Sequence, residues 1–137
     1  MTSLAWRTCL IATAIVAVSY LAGCGGSQSP EHVVRAWSKA FNTGDNDGAA
    51  GSFAAGAEVI AGDSVRVLRS RHQAVAFNAG LPCSGRIVNL KSAGAEVTAT
   101  SELADRATHQ CRGVGERGSI LFRVHDGKIV VFDQIGA

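Results

Sequence analysis

Apolar residues along this chain change their spacing from the period of a helix to the period of a strand, and that change limits the fold more than any other feature. Val33, Val34, Trp37, Ala40 and Phe41 recur every three or four positions and form one apolar stripe. Ser29-Pro30-Glu31 opens this helix with a serine cap, proline in the first helical position and an acid in the first turn. Asn42-Thr43-Gly44 closes it, with Gly44 suited to a left-handed cap. Asp45-Asn46-Asp47 is expected to cap a second, shorter helix running through Ala49, Ala50 and Phe53. Gly48 and Gly51 weaken that helix, so it must lean on its neighbours.

Strand signals dominate from there, with one helix interposed. Glu58–Ala61 and Val65–Leu68 flank Gly62-Asp63 and predict a hairpin. Ser70-Arg71-His72-Gln73 is a capping box that starts a third helix through Ala74, Val75, Ala76 and Phe77, and Gly80 and Pro82 stop it. Ile87–Leu90 and Val97–Thr100 read as strands around a turn at Ser92-Ala93-Gly94. Asp105 to Gly115 is polar and irregular. Ile120–Val124 and Ile129–Phe132 then pair around Asp126-Gly127, the strongest short hairpin signal in the chain. Helices followed by a long antiparallel meander predict an α+β fold with the helices on one face of the sheet.

The first 23 residues read differently. Residues 1–7 carry one charge, Arg7, and Leu10 to Val18 is an apolar run. At about ten residues this run suits the h-region of a signal peptide better than the roughly 20 residues of a bilayer span. Leu21-Ala22-Gly23-Cys24 is a lipobox: an aliphatic residue, two small residues and a cysteine whose thiol is acylated before cleavage. The expected organisation is a lipoprotein signal peptide over 1–23, a flexible tether over 24–29 and a domain over 30–137. Cys24 is the expected site of lipidation, with palmitate-type acyl chains and a location on the extracytoplasmic side of the cell membrane. Two acyl chains suffice for stable anchoring where one does not.

Cleavage leaves about 114 of the 137 residues, enough for one domain with a small core. The formal charge of the whole chain is +2, so no basic surfeit points to nucleic acid. Arg66, Arg69 and Arg71 form a local cluster that could hold an anion, although such clusters are usually a solvated face. Of the four cysteines, Cys9 belongs to the signal and Cys24 to the lipid. Cys83 and Cys111 remain, in an oxidising compartment where disulfides persist. A metal-binding or nucleophilic pair is the competing reading, but CxxC spacing and a histidine scaffold are missing. No metal site and no cofactor are expected.

Several strings taken in order resemble a known family. They are Ala40-Phe41-Asn42-Thr43-Gly44-Asp45 at the end of the first helix, the small-residue helix up to Phe53, Asp126-Gly127-Lys128-Ile129-Val130 and Asp133-Gln134. From about Ser29 to Ile135 the chain resembles the SnoaL-like proteins of the nuclear-transport-factor-2-like superfamily. The resemblance implies a cone-shaped, strongly curved antiparallel sheet wrapped by three helices around a cavity. It places Cys83 after the third helix and Cys111 between two late strands, so that a bridge would pin helix to sheet. It also allows a homodimer through the sheet.

A catalytic member needs an acid or base inside the cone. Strand parity with Ile129 and Val131 puts Asp133 inward, and His72 and Glu102 are further candidates. Against them, a lone aspartate near a strand end is usually solvated and His72 sits at a helix start. The tyrosine–aspartate pair of ketosteroid isomerases is missing, because the one tyrosine, Tyr20, lies in the signal. The expected function is therefore binding of a small apolar ligand or a partner protein by a membrane-anchored domain. The alternative is an isomerase, hydrolase or cyclase with Asp133 as general base.

Overall fold

The computed structural model describes Gly26 and residues 28–136. The expected signal peptide with Cys9, and Cys24 as the expected site of lipidation, lie outside the described residues.

Helix α1 spans Pro30–Asn42, and the Ser29 hydroxyl accepts the His32 N–H at its start. Its stripe of Val33, Val34, Trp37 and Phe41 is buried as the spacing predicts. Asp45 caps α2, Asn46–Gly51, by accepting the Gly48 N–H at 2.8 Å. This helix is shorter than expected: Phe53 is the first residue of strand β1, Phe53–Ala61, although its ring still enters the core. The Gly62-Asp63 turn leads to β2, Ser64–Leu68. Helix α3, Arg71–Gly80, starts where the capping box predicts, with the Gln73 N–H donating to the Ser70 hydroxyl. The return bond lies one residue early, because the Gln73 side-chain Oε1 accepts from the Arg69 N–H at 2.7 Å.

Four longer strands follow: β3 Ser84–Ala93, β4 Glu96–Ala104, β5 Arg117–His125 and β6 Lys128–Gly136. Ser92 and Ala93, expected in a turn, extend β3, and the reversal falls on Gly94-Ala95. Asp126 and Gly127 both take positive φ, 48° and 72°, as the tight turn between β5 and β6 requires.

The six strands lie in the order β2-β1-β6-β5-β4-β3. The sheet is antiparallel except at one place, since β1 runs parallel to β6. That pairing skips from Phe53↔Ile129 to Glu58↔Val131, and Gly56 inside the skip has φ 86°, a conformation that side chains other than glycine rarely adopt. Helices α1 and α3 close over one face of the curved sheet. Trp37 and Phe41 stack at 5.1 Å, and Trp37, Phe77 and Phe122 each turn toward Phe132. The architecture is the expected α+β cone, with its aromatic core between α1 and the sheet.

Candidate functional site

A cavity of about 570 Å³ lies between α1, the segment after α3 and the sheet. Its walls come from elements far apart in sequence. Trp37 and Phe41 project from α1, Leu81, Pro82 and Cys83 from the segment after α3, and Ser101 and Leu103 from β4. Ala61 of β1, Ser119 and Ile120 of β5, and Phe132 and Gln134 of β6 add to the lining. Parity explains the selection: in β4, Val97 and Ala99 are buried while Ser101 and Leu103 continue the same face to the cavity. None of the described residues lining it carries an ionisable side chain, and its polar groups are the neutral serines and Gln134.

The side of α1 facing α3 is held by a buried polar link. The indole N–H of Trp37 donates to the Asn78 side-chain oxygen at 2.9 Å, and the Asn78 amide donates to the Ala74 carbonyl at 2.8 Å. Asn78 is fully buried and was not among the expected functional residues. Its signal lay in the spacing, because Asn78 follows Ala74 by four positions on the buried stripe of α3.

The irregular segment between β4 and β5 closes against the end of α3. Cys83 and Cys111 form a disulfide with Cα atoms 4.7 Å apart. The Asp105 carboxylate accepts the Cys111 N–H at 2.7 Å. Arg106 donates to the carbonyls of Asn78 and Leu81, each at 2.7 Å, and to the Asn46 side chain at 3.0 Å. Its guanidinium lies 4.3 Å from the centre of the Phe41 ring. Burial lowers its pKa from the ordinary arginine value. A cation on the last carbonyls of a helix suits the helix dipole. Nothing in the sequence singled out Arg106, one of two arginines in the polar stretch from Asp105 to Gly115.

The ionisable candidates do not gather at this cavity. Asp133 is half-buried but does not project inward as expected. Val124 pairs with Ile129 and Arg123 with Val131, which leaves Val130 as an extra residue in β6. The bulge reverses the parity of the residues that follow it as far as Gln134, so Phe132 and Gln134 face the cavity and Asp133 faces the other side of the sheet. There its register neighbours are Leu121 and Ile60. His72 is exposed in the first turn of α3 and lines none of the described hollows. Glu102 lies on the outer face of β4, 3.5 Å from Arg86. The arginine cluster is divided: Arg71 donates to the Asp47 carbonyl, whereas Arg66 lies over the Phe77 ring. Among the described residues no group of three His, Cys, Asp or Glu side chains is placed to hold a metal ion.

The geometry matches solved structures of one fold. An NTF2-like protein of unknown function from Cytophaga hutchinsonii superposes with a TM-score of 0.66 at 12% identity, covering 82% of this chain and 94% of that one. An uncharacterised cystatin-fold protein from Novosphingobium aromaticivorans gives 0.64 at 15% identity, covering 79% and 98%. A protein of ketosteroid-isomerase-like fold from Catenulispora acidiphila, solved with trimethylamine, gives 0.63 at 17% identity, covering 80% and 88%. The fold is therefore NTF2-like. No protein-family model and no curated protein matches the sequence.

Proposed function

We propose that this chain is a membrane-anchored lipoprotein whose NTF2-like domain binds a small apolar ligand on the extracytoplasmic side. The observation that carries the ligand reading is the cavity of about 570 Å³, walled by Trp37, Phe41, Leu103, Ile120 and Phe132 and free of ionisable side chains among its described lining. Its volume falls in the range of roughly 300–1,000 Å³ typical of small-molecule sites. An apolar body gains by leaving water for such walls, and the serines and Gln134 can match one or two neutral polar atoms of it. The catalytic reading, an isomerase, hydrolase or cyclase with Asp133 as general base, requires that carboxylate on the cavity side, and the bulge at Val130 turns it away.

The anchor rests on Leu21-Ala22-Gly23-Cys24, and the Cys83–Cys111 disulfide is consistent with export. Residues 24–29 would keep the domain within about 20 Å of the bilayer even when fully extended.

Two measurements test the two halves. Ile120→Trp fills the cavity with an indole. It is expected to weaken binding of the neutral probe N-phenyl-naphthylamine by at least about tenfold, or 1.4 kcal/mol, while the protein still melts cooperatively. Equal affinity in the variant would exclude the cavity as the site. Cys24→Ala is expected to move the protein from the membrane to the soluble extracytoplasmic fraction and to remove the lipid mass. Membrane retention without that mass change would refute the anchor.

A further inference from the structure

The apolar cavity has an annex, and the annex carries a charge. A cleft of about 440 Å³ opens between β1, β2 and α3 and shares Ala61, Leu81, Pro82 and Gln134 with the main cavity. Among the described residues lining either hollow, Arg66 is the one charged side chain. Strand parity puts it there: Arg66 shares a face of β2 with Leu68, which is buried in the core, and pairs in register with buried Val59. Its guanidinium sits 5.3 Å from the centre of the Phe77 ring, a contact that positions the cation without neutralising it.

Four other arginines of the domain are engaged, whereas Arg35, Arg69, Arg112 and Arg117 form no ion pair among the described residues and line neither hollow. Arg86 faces Glu102, Arg123 faces Glu96, Arg71 reaches Asp47, and Arg106 is committed to helix carbonyls. No carboxylate among the described residues forms an ion pair with Arg66. An unpaired cation at the edge of an apolar cavity is complementary to a molecule with an apolar body and one anionic end.

We propose that the ligand is an amphiphilic carboxylic acid, its hydrocarbon body in the apolar cavity and its carboxylate on Arg66 in the adjoining cleft. The proposal rests on reading the cavity as a ligand site. A carboxylate fits a single guanidinium because the planar fork of donors matches its two oxygens. A phosphate dianion would call for a second cation, and neither hollow supplies one. Gln134, on the shared wall, offers a neutral amide to the same head group.

The test uses the full chain held soluble in amphipol, with amphipol alone as the blank, and radiolabelled dodecanoate and methyl dodecanoate in equilibrium dialysis. The wild-type chain is expected to bind both and to prefer the acid, with a preference that shrinks as salt is added. Arg66→Gln is expected to weaken the acid about tenfold and leave the ester unchanged, the effect of losing one charge-assisted contact at a solvated mouth. Arg66→Lys keeps the charge and is expected to keep the preference. If the ester binds and Arg66→Gln does not alter the acid, the carboxylate assignment is overturned and the cavity reading stands. If neither compound binds the wild-type chain, both are overturned.

Discussion

Truncating Phe132 to alanine is expected to lower the unfolding free energy by about 3–5 kcal/mol, the range for buried phenylalanine. Phe132 is completely buried at the meeting point of the helices and the sheet. Trp37, Phe77 and Phe122 turn edge-on toward it with ring centres 5.5, 5.1 and 5.3 Å away, and Phe53 lies tilted at 6.2 Å. Such aromatic pairs contribute roughly 0.5–1.5 kcal/mol each beyond the area they bury. Those partners come from α1, β1, α3 and β5, so the loss reaches every layer at once. A domain of this size has a total stability on the order of 5–15 kcal/mol, and the variant would keep a fraction of it. Urea unfolding followed by Trp37 fluorescence measures the change. A loss below about 1 kcal/mol would mean that Phe132 is not the hub of the core, since even modest core truncations exceed it.

Removing the disulfide should have an effect of similar size through a different physical route. The bridge joins residues 28 positions apart, and the chain-entropy relation assigns that closure about 3–4 kcal/mol. The effect acts on the unfolded chain, which gains freedom when the link is cut. The folded segment retains other restraints, because Arg106 still holds the α3 carbonyls and Phe41, and Asp105 still accepts the Cys111 N–H. A Cys83→Ala/Cys111→Ala double variant should therefore fold to the same shape with a lower urea midpoint. Wild-type protein under reductant should lose a similar amount of stability. Two free thiols by intact mass in oxidised material, or an unchanged midpoint in the double variant, would contradict this account.

How much of this was legible in the sequence depended on how local each determinant is. The caps at Ser29, Asp45 and Ser70 and the Asp126-Gly127 turn are decided by neighbouring residues, and they fall where the sequence places them. The cysteine pair was readable because few alternatives remained once Cys9 and Cys24 were assigned. Asp133 was misread for a definite reason. Simple alternation from Ile129 assumes an unbroken strand, whereas the extra residue at Val130 inverts the positions that follow as far as Gln134, Asp133 among them. No local spacing announces that bulge. The parallel pairing of β1 with β6 was equally hidden, since it joins segments some seventy residues apart and depends on the closed core. Arg66 illustrates a middle case. Its cluster with Arg69 and Arg71 was visible, and all three are exposed, but the strand parity that sets Arg66 beside the cleft needed the register with Val59.

The central claim is that the concave side of the sheet, and not its outer face, takes an apolar ligand. Methyl-labelled NMR of the full chain in amphipol, titrated with cyclohexane, reads this most directly. The expected result is saturable shifts of the Leu81, Leu103 and Ile120 methyls, which line the cavity, with Leu121 and Ile60 beside Asp133 unmoved. Shifts confined to Leu121 and Ile60, or no saturable shift at any of the five residues, would contradict it.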